Sequence, residues 1–145
     1  METLQQPLSL PVILKQVIIF SDRGKRYEVK FEDIMYCVAE GSYTFVHAKG
    51  RIFVSSRNLK NFETLLPEWL FYRIHHSHIV NTACITEVVN GRGGSVTMSD
   101  GKILEIAARR KMGFLKSFRL KPGTDRNFNL SRTFTFRLGD GAFLI

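Results

Sequence analysis

The sequence predicts a mainly β fold carrying two short helices, and three observations predict it. Apolar residues fall in short alternating or continuous runs, glycine turns separate those runs, and only two stretches repeat at helical spacing. The chain of 145 residues is about one domain long. A chain of that size buries roughly 70% of its unfolded surface on folding, so it sustains a core without disulfide or metal staples.

Val17 to Phe20 is the first apolar run. Ser21-Asp22-Arg23-Gly24 turns it into a second, where Tyr27, Val29 and Phe31 share one strand face and Glu28 and Lys30 the other. Ile34 to Ala39 is apolar throughout and suits a buried strand. Glu40-Gly41-Ser42 turns it into Tyr43 to Ala48, and Lys49-Gly50 turns that into Arg51 to Val54, which makes a meander. Arg57 to Leu66 is the first helix, with Leu59, Phe62, Leu65 and Leu66 as its apolar stripe, Ser55 or Ser56 as N-cap and Pro67 as the stop. Phe71 to His75 and Ile85 to Val89 are strands. Ser95 to Met98 and Ile103 to Ile106 form a last hairpin around Ser99-Asp100-Gly101-Lys102, whose Asp-Gly is a strong turn signal. The second helix, Ala108 to Phe118, places Ala108, Met112 and Leu115 at i, i+4 and i+7.

Composition changes after Leu120. Residues 121–127 read as a linker, and the alternating stretch Thr133 to Leu138 is expected either to add one hairpin or to stay disordered. The expected division is an N-terminal extension over 1–16, a domain over 17–120, and a linker and tail over 121–145. The N-terminal stretch has no basic n-region and its apolar part is interrupted by Pro11; nothing elsewhere approaches the ~18 apolar residues of a membrane span, which points to a cytoplasmic protein. Cys37 and Cys84 are far apart and form no CxxC pair, so they read as buried, reduced thiols.

The charge balance is the first functional signal. Lys and Arg number 21 against 13 Asp and Glu, a formal net charge of +8, so polyanions are the partners to consider first. Six basic residues and no acidic one lie between Ile106 and Lys121: Arg109, Arg110, Lys111, Lys116, Arg119 and Lys121. Three of them open the second helix, where cations oppose the macrodipole and a phosphate would be welcome. A solvated basic face is the bland alternative. The densest polar cluster is Arg73-Ile74-His75-His76-Ser77-His78, which invites a zinc reading. On a strand, however, His75 and His76 point to opposite faces, and no carboxylate or cysteine is near in sequence. No catalytic constellation is recognisable either: there is no Gly-x-Ser-x-Gly elbow and no phosphate loop, and Gly91-Arg92-Gly93-Gly94 is better read as a hairpin turn. No cofactor is implied. Two short helices also disfavour the helix-led DNA readers, which need a helical core.

Several local motifs converge on one family. Phe71-Tyr72-Arg73-Ile74-His75-His76-Ser77-His78-Ile79-Val80-Asn81 is similar to the F-x-R-x-H-x-S-[aromatic]-h-V-N signature, in which h is apolar, of LytTR-type DNA-binding domains, the module of bacterial LytR- and AgrA-like regulators. Asp33-Ile34-Met35-Tyr36 resembles the D-I-x-[aromatic] strand of that family, the Leu59-centred helix matches its first helix, and Ala107-Ala108-Arg109-Arg110 resembles the usual V-S-R-R before the closing helix. The resemblance runs from about Val17 to Leu120. His78 stands where the family has an aromatic residue, and Ala108 where it has serine.

The resemblance implies an elongated stack of short antiparallel β-sheets with two short helices, which places loops rather than a helix in successive major grooves. Carried over by position, the base-contact candidates are Tyr43, His76 and Arg109, and the DNA-backbone candidates are Ser42, Ser77, Arg110, Lys111 and Lys116. His75 becomes a structural hydrogen-bonding residue and His76 an exposed one. The implied partners are double-stranded DNA with repeated half-sites and a separate signalling kinase or membrane regulator. The protein is expected to be a monomer or weak dimer in solution and to place two copies on DNA. Only about sixteen residues precede Val17, too few for a phospho-receiver, so the chain reads as a standalone transcription regulator or a fragment, without enzymatic activity. Two alternatives stay open: an RNA or single-strand binder stacking bases on Tyr43, Phe45 and Tyr72, and a module whose basic face docks an acidic protein.

Overall fold

A computed structural model of the protein describes residues 16–90 and 93–119, together with the backbone of 134–137. The elements run β1 (Val17–Asp22), β2 (Lys25–Lys30), β3 (Ile34–Glu40), β4 (Tyr43–Ala48), β5 (Arg51–Ser55), α1 (Leu59–Leu65), β6 (Phe71–His75), β7 (His78–Asn81), β8 (Ile85–Asn90), β9 (Ser95–Met98), β10 (Ile103–Glu105), α2 (Ala108–Arg119) and β11 (Phe134–Arg137). Short 3₁₀ turns at Phe31–Asp33 and Thr82–Cys84 lead into β3 and β8. The strands form three antiparallel sheets: β1-β2, the central β5-β4-β3-β7-β6, and β10-β9-β8-β11.

The central sheet is covered on both faces. Cys37, Val46, Phe53, Phe71 and Ile79 face a core completed by Phe20 of β1 and by Leu59 and Phe62 of α1. Tyr36, Ile74 and Val80 face a second core, filled by Ile85, Val88, Val96 and Leu104 of the β8-β9-β10 sheet and by Phe114, Leu115 and Phe118 of α2. Successive residues of one strand therefore enter different cores, as Tyr36 and Cys37 do. Two-sided burial is why Ile34 to Ala39 is continuously apolar instead of alternating. The β1-β2 hairpin is attached by the stack of Phe20 on Phe53, at 4.4 Å between centroids. Arg51 adds a second tie, with its guanidinium over Tyr27 and its Nη2 3.0 Å from Asp22 Oδ2. The four-stranded sheet is tied to β3 by the Tyr36 hydroxyl, which donates to Asp100 in the β9-β10 turn at 2.7 Å.

Local details depart from the sequence-based expectations. The N-cap of α1 is Asn58, whose side chain accepts from Asn61 N at 2.9 Å, so the helix begins at Leu59 rather than Arg57; neither serine caps it, and Ser55 Oγ accepts from Arg57 N in the preceding loop. Leu65 is exposed, and the buried stripe is Leu59, Phe62 and Leu66. In α2, Met112 is 56% exposed and Ala108 is also exposed, while Phe114, Leu115 and Phe118 are buried. Tertiary contact selected the aromatic-rich face over the aliphatic spacing. β7 was not expected as a separate strand, because its four residues follow a turn made of histidine and serine without glycine. Of the tail, Phe134–Arg137 pairs antiparallel with β8, between Phe134↔Asn90 and Arg137↔Glu87; the N-terminal extension through residue 15 and the linker lie outside the described residues.

Asn81 joins the layers at the end of β7. Its fully buried side chain donates from Nδ2 to Ile34 O at 2.9 Å and accepts at Oδ1 from Ala83 N at 2.9 Å. One amide thereby holds the start of β3 against the turn that leads into β8. Replacing it by alanine strands a buried carbonyl and an amide N–H, so Asn81→Ala is expected to cost about 2 to 4 kcal/mol. Urea unfolding checks this, and an unchanged midpoint would contradict it.

Candidate nucleic-acid interface

The candidate site is assembled by strand register. β3 pairs with β7 through Tyr36↔Val80, Cys37↔Ile79 and Val38↔His78, and Ala39 N donates to Ser77 O at 2.9 Å. Because the two strands are antiparallel, the β3-β4 turn at Gly41-Ser42 and the β6-β7 turn at His76-Ser77 open at the same end of the sheet. Gly41 adopts φ +59°, a left-handed conformation that glycine accepts without steric cost, and this tightens the loop below Ser42 and Tyr43. Both residues are exposed, Tyr43 to 52%. On the other side of the His76-Ser77 turn, Ala107 N donates to Ile74 O at 2.8 Å. That bond seats the start of α2 beside β6, and Arg109 stands exposed in the first helical turn.

Three segments distant in sequence thus form one surface. Ser42, Tyr43, His76, Ser77 and Arg109 lie at it. Arg110 is half-buried and reaches Arg73 O through Nη1 at 3.5 Å, while its Nε is buried without a hydrogen-bond partner among the described residues. Lys111 is also half-buried, and Lys116 is exposed about two turns further along α2. The basic run is accordingly divided: Arg109 projects, Arg110 partly braces the sheet, and Lys116 sits away from the loops.

The turn that carries His76 is held by a residue the sequence reading left without a role. Arg73 Nη2 donates to His76 O at 2.6 Å, its Nε to His75 O at 3.3 Å, and its Nη1 to Glu63 Oε1 on α1 at 2.9 Å. One planar guanidinium clamps two carbonyls of the turn and anchors them to a helix, which a lysine point charge cannot reproduce. Ser77 N also donates to His75 Nδ1 at 3.1 Å, giving His75 the structural role expected of it. The signal was Arg73 three residues ahead of an exposed turn position. Its partner Glu63, ten residues upstream on another element, carried no local mark.

The histidine rings do not diverge as an alternating strand would place them. His76 falls in the turn rather than on β6, so its ring lies 4.3 Å from that of His75, and His78 lies 4.6 Å from His75 on the neighbouring strand. A carboxylate absent from the local sequence also arrives: Glu105 Oε1 is 3.8 Å from His75 Nε2. The His75 and His78 rings present faces rather than ring nitrogens to each other, and among the described residues no group of three or more His, Cys, Asp or Glu side chains is arranged to hold a metal ion. Burial first, and then the adjacent His76, push the His75 imidazole below its ordinary value against the pull of Glu105. Burial likewise lowers His78. Cys37, sealed inside the core, has its thiol pushed up to about 12 by burial and is inert at neutral pH.

Of the aromatic residues considered as stacking platforms, only Tyr43 is open. Phe45 is half-buried, and Tyr72 packs edge-on against Phe114 at 5.6 Å. A Cβ on Gly113 would come within 2.5 Å of the Tyr72 hydroxyl, so this helix position is glycine to let the phenol lie against α2.

With two turns and the start of α2, bearing an exposed arginine, brought to one end of the sheet, the fold and surface are those of a β-sheet nucleic-acid-binding domain. Residues 24–119 match the LytTR family, described as the LytTr DNA-binding domain. The chain belongs to that family, and DNA is its partner as part of a regulator. A solved structure, the LytTr DNA-binding domain of a Bacillus cereus protein described as a methyl-accepting/DNA response regulator, resembles it at a TM-score of 0.65 and 27% identity, over 71% of this chain and 96% of that one. Comparison with curated proteins gives no match. Among the described residues no helix is long and apolar enough to cross a membrane.

The histidine cluster makes a prediction about stability. Folded His75 and His78 hold protons less tightly than the unfolded chain, so the stability they contribute is present above about pH 6.5 and is lost as pH falls below it. His47, also lowered by burial, acts in the same direction. The melting temperature is expected to drop between pH 7.5 and 5.5, and His78→Asn to drop less over that interval. Equal pH dependence in the two proteins would contradict the assignment.

Proposed function

We propose that the protein binds double-stranded DNA by inserting three segments into the major groove, namely the Ser42-Tyr43 loop, the His76-Ser77 turn and the start of α2 with Arg109, and that it acts as a transcription regulator. The observation that carries this reading is the common placement of those segments, joined by the bonds Ala39 N to Ser77 O and Ala107 N to Ile74 O. Arg109 supplies the fork that recognises guanine O6 and N7. Tyr43 and His76 offer a hydroxyl and an imidazole to other base edges. Ser42, Ser77, Arg110, Lys111 and Lys116 bind the flanking phosphates, and Lys116 serves affinity rather than selectivity because it lies along the helix. The single-strand alternative is less well supported, because Tyr72 is committed to α2 and Phe45 is half-buried.

Binding titrations on specific and random duplexes across a salt series test the assignment. If six to ten phosphates are neutralised, log K falls against log salt with a slope of roughly −5 to −9. Arg109→Ala is expected to lose about 1 to 3 kcal/mol on the specific duplex and to relax one base position, whereas Lys116→Ala weakens both duplexes alike. Equal losses on both duplexes for both variants would refute the division of roles.

A domain that reaches DNA through loops at one sheet end covers little more than one helical turn, and one half-site seldom supplies the ~10⁻⁸ M affinity of a specific regulator. Two copies on repeated half-sites raise occupancy through effective concentration without a large protein interface. Sedimentation without DNA is expected to show a monomer or weak dimer, and inserting about five base pairs between half-sites to weaken binding more than inserting about ten. A tight DNA-free dimer, or indifference to the half-turn insertion, would exclude this arrangement.

A further inference from the structure

The reading end of the central sheet has a fourth segment that the family motifs do not mark. β5 is the outer strand beyond β4, and Ser55 stands opposite Thr44. The chain therefore leaves β5 at the same end as the Gly41-Ser42 turn, and residues 56–58 carry it across to α1. Arg57 is fixed there through its backbone. Its N–H donates to Ser55 Oγ at 3.1 Å, and its carbonyl accepts from the hydroxyl of Thr44, which is 1% exposed, at 2.8 Å. Thr44 is the residue after Tyr43, so the two loops are locked side by side. The Arg57 side chain is exposed, and among the described residues it enters none of the salt bridges formed at Asp22, Asp33, Glu63 and Glu105.

We propose that Arg57 is a further DNA-contacting residue, binding the phosphate backbone outside the position reached by Tyr43. The proposal rests on the groove-insertion reading above and extends it by sheet geometry. Neighbouring strands lie about 4.8 Å apart, so the row from β6 to β5 spans four intervals, about 19 Å, and Arg57, bonded to Thr44 of β4, lies on the β5 side of the β3-β7 pair. A guanidinium on a loop whose backbone is already ordered loses little entropy on binding, and its fork matches phosphate oxygens. It is one of the 21 Lys and Arg residues that give the protein its net charge of +8. With no base edge in reach beyond the groove, it strengthens binding to every sequence equally.

The test uses the full chain on specific and random duplexes, comparing Arg57→Ala, Arg57→Lys and Arg109→Ala, with phosphate-ethylation interference to locate contacts. Arg57→Ala is expected to lower the salt slope by about 0.9 and to weaken both duplexes about fivefold at 0.15 M salt, the factor that slope implies. It should also abolish one phosphate-interference site while leaving the base position sensitive to Arg109→Ala unchanged. Arg57→Lys should recover most of the slope, and melting temperature should not change. An unchanged slope and footprint in Arg57→Ala, with Arg109→Ala still losing sequence-specific binding, would overturn the proposal alone. A loss confined to the specific duplex would overturn the phosphate assignment. Indifference of both Arg57→Ala and Arg109→Ala would overturn the groove reading and this proposal with it.

Discussion

Pairing of β3 with β7 is the contact on which the rest of the structure depends. The two strands are 44 positions apart at Tyr36↔Val80, and a contact so distant in sequence repays its closure entropy only when much apolar surface is buried with it. Here Cys37 and Ile79 enter one core while Tyr36 and Val80 enter the other. The same pairing brings the Gly41-Ser42 and His76-Ser77 turns to one edge of the sheet. Stability and the placement of the candidate loops thus share a single register, and a one-residue slip would exchange the residues facing the two cores.

Around that pairing the polar groups hold loops in place. Arg73 converts a glycine-free turn into a fixed platform by clamping the His75 and His76 carbonyls and reaching Glu63. Thr44 does the same for the β5-α1 loop from inside the core. The Tyr36 hydroxyl, bonded to Asp100 and held well above the usual phenol range by burial and by that carboxylate, keeps the β9-β10 turn against the central sheet. Loops already ordered in the free protein lose less entropy when they engage a ligand, so on the proposed reading preorganisation adds to the effect of charge.

The +8 charge has its own cost and use. Cations at the start of α2 oppose its dipole, and the buried, unpartnered Nε of Arg110 adds a desolvation penalty. Both would be offset if this surface meets phosphates, as proposed. The arrangement also accounts for the histidine cluster, in which His75 organises the turn through Ser77 N while His76 stays exposed.

Periodicity, turn residues and composition by themselves determined the mainly β class, most of the strands, both helices and the basic character, because these follow from local backbone preferences and from which side chains avoid water. The eleven-residue motif from Phe71 to Asn81 carried the family and, through it, Tyr43, His76 and Arg109 as candidates. Tertiary structure alone decided which apolar residues of α2 are buried, since Met112 and Leu115 are equally hydrophobic by spacing and only packing against β6 and β8 separates them. It alone showed that Arg73 meets Glu63, that Glu105 approaches His75 and that the Arg57 carbonyl meets Thr44. Each is a meeting between side chains and loops whose partners are chosen by strand register and layer packing, and neither quantity is encoded in any short window of residues.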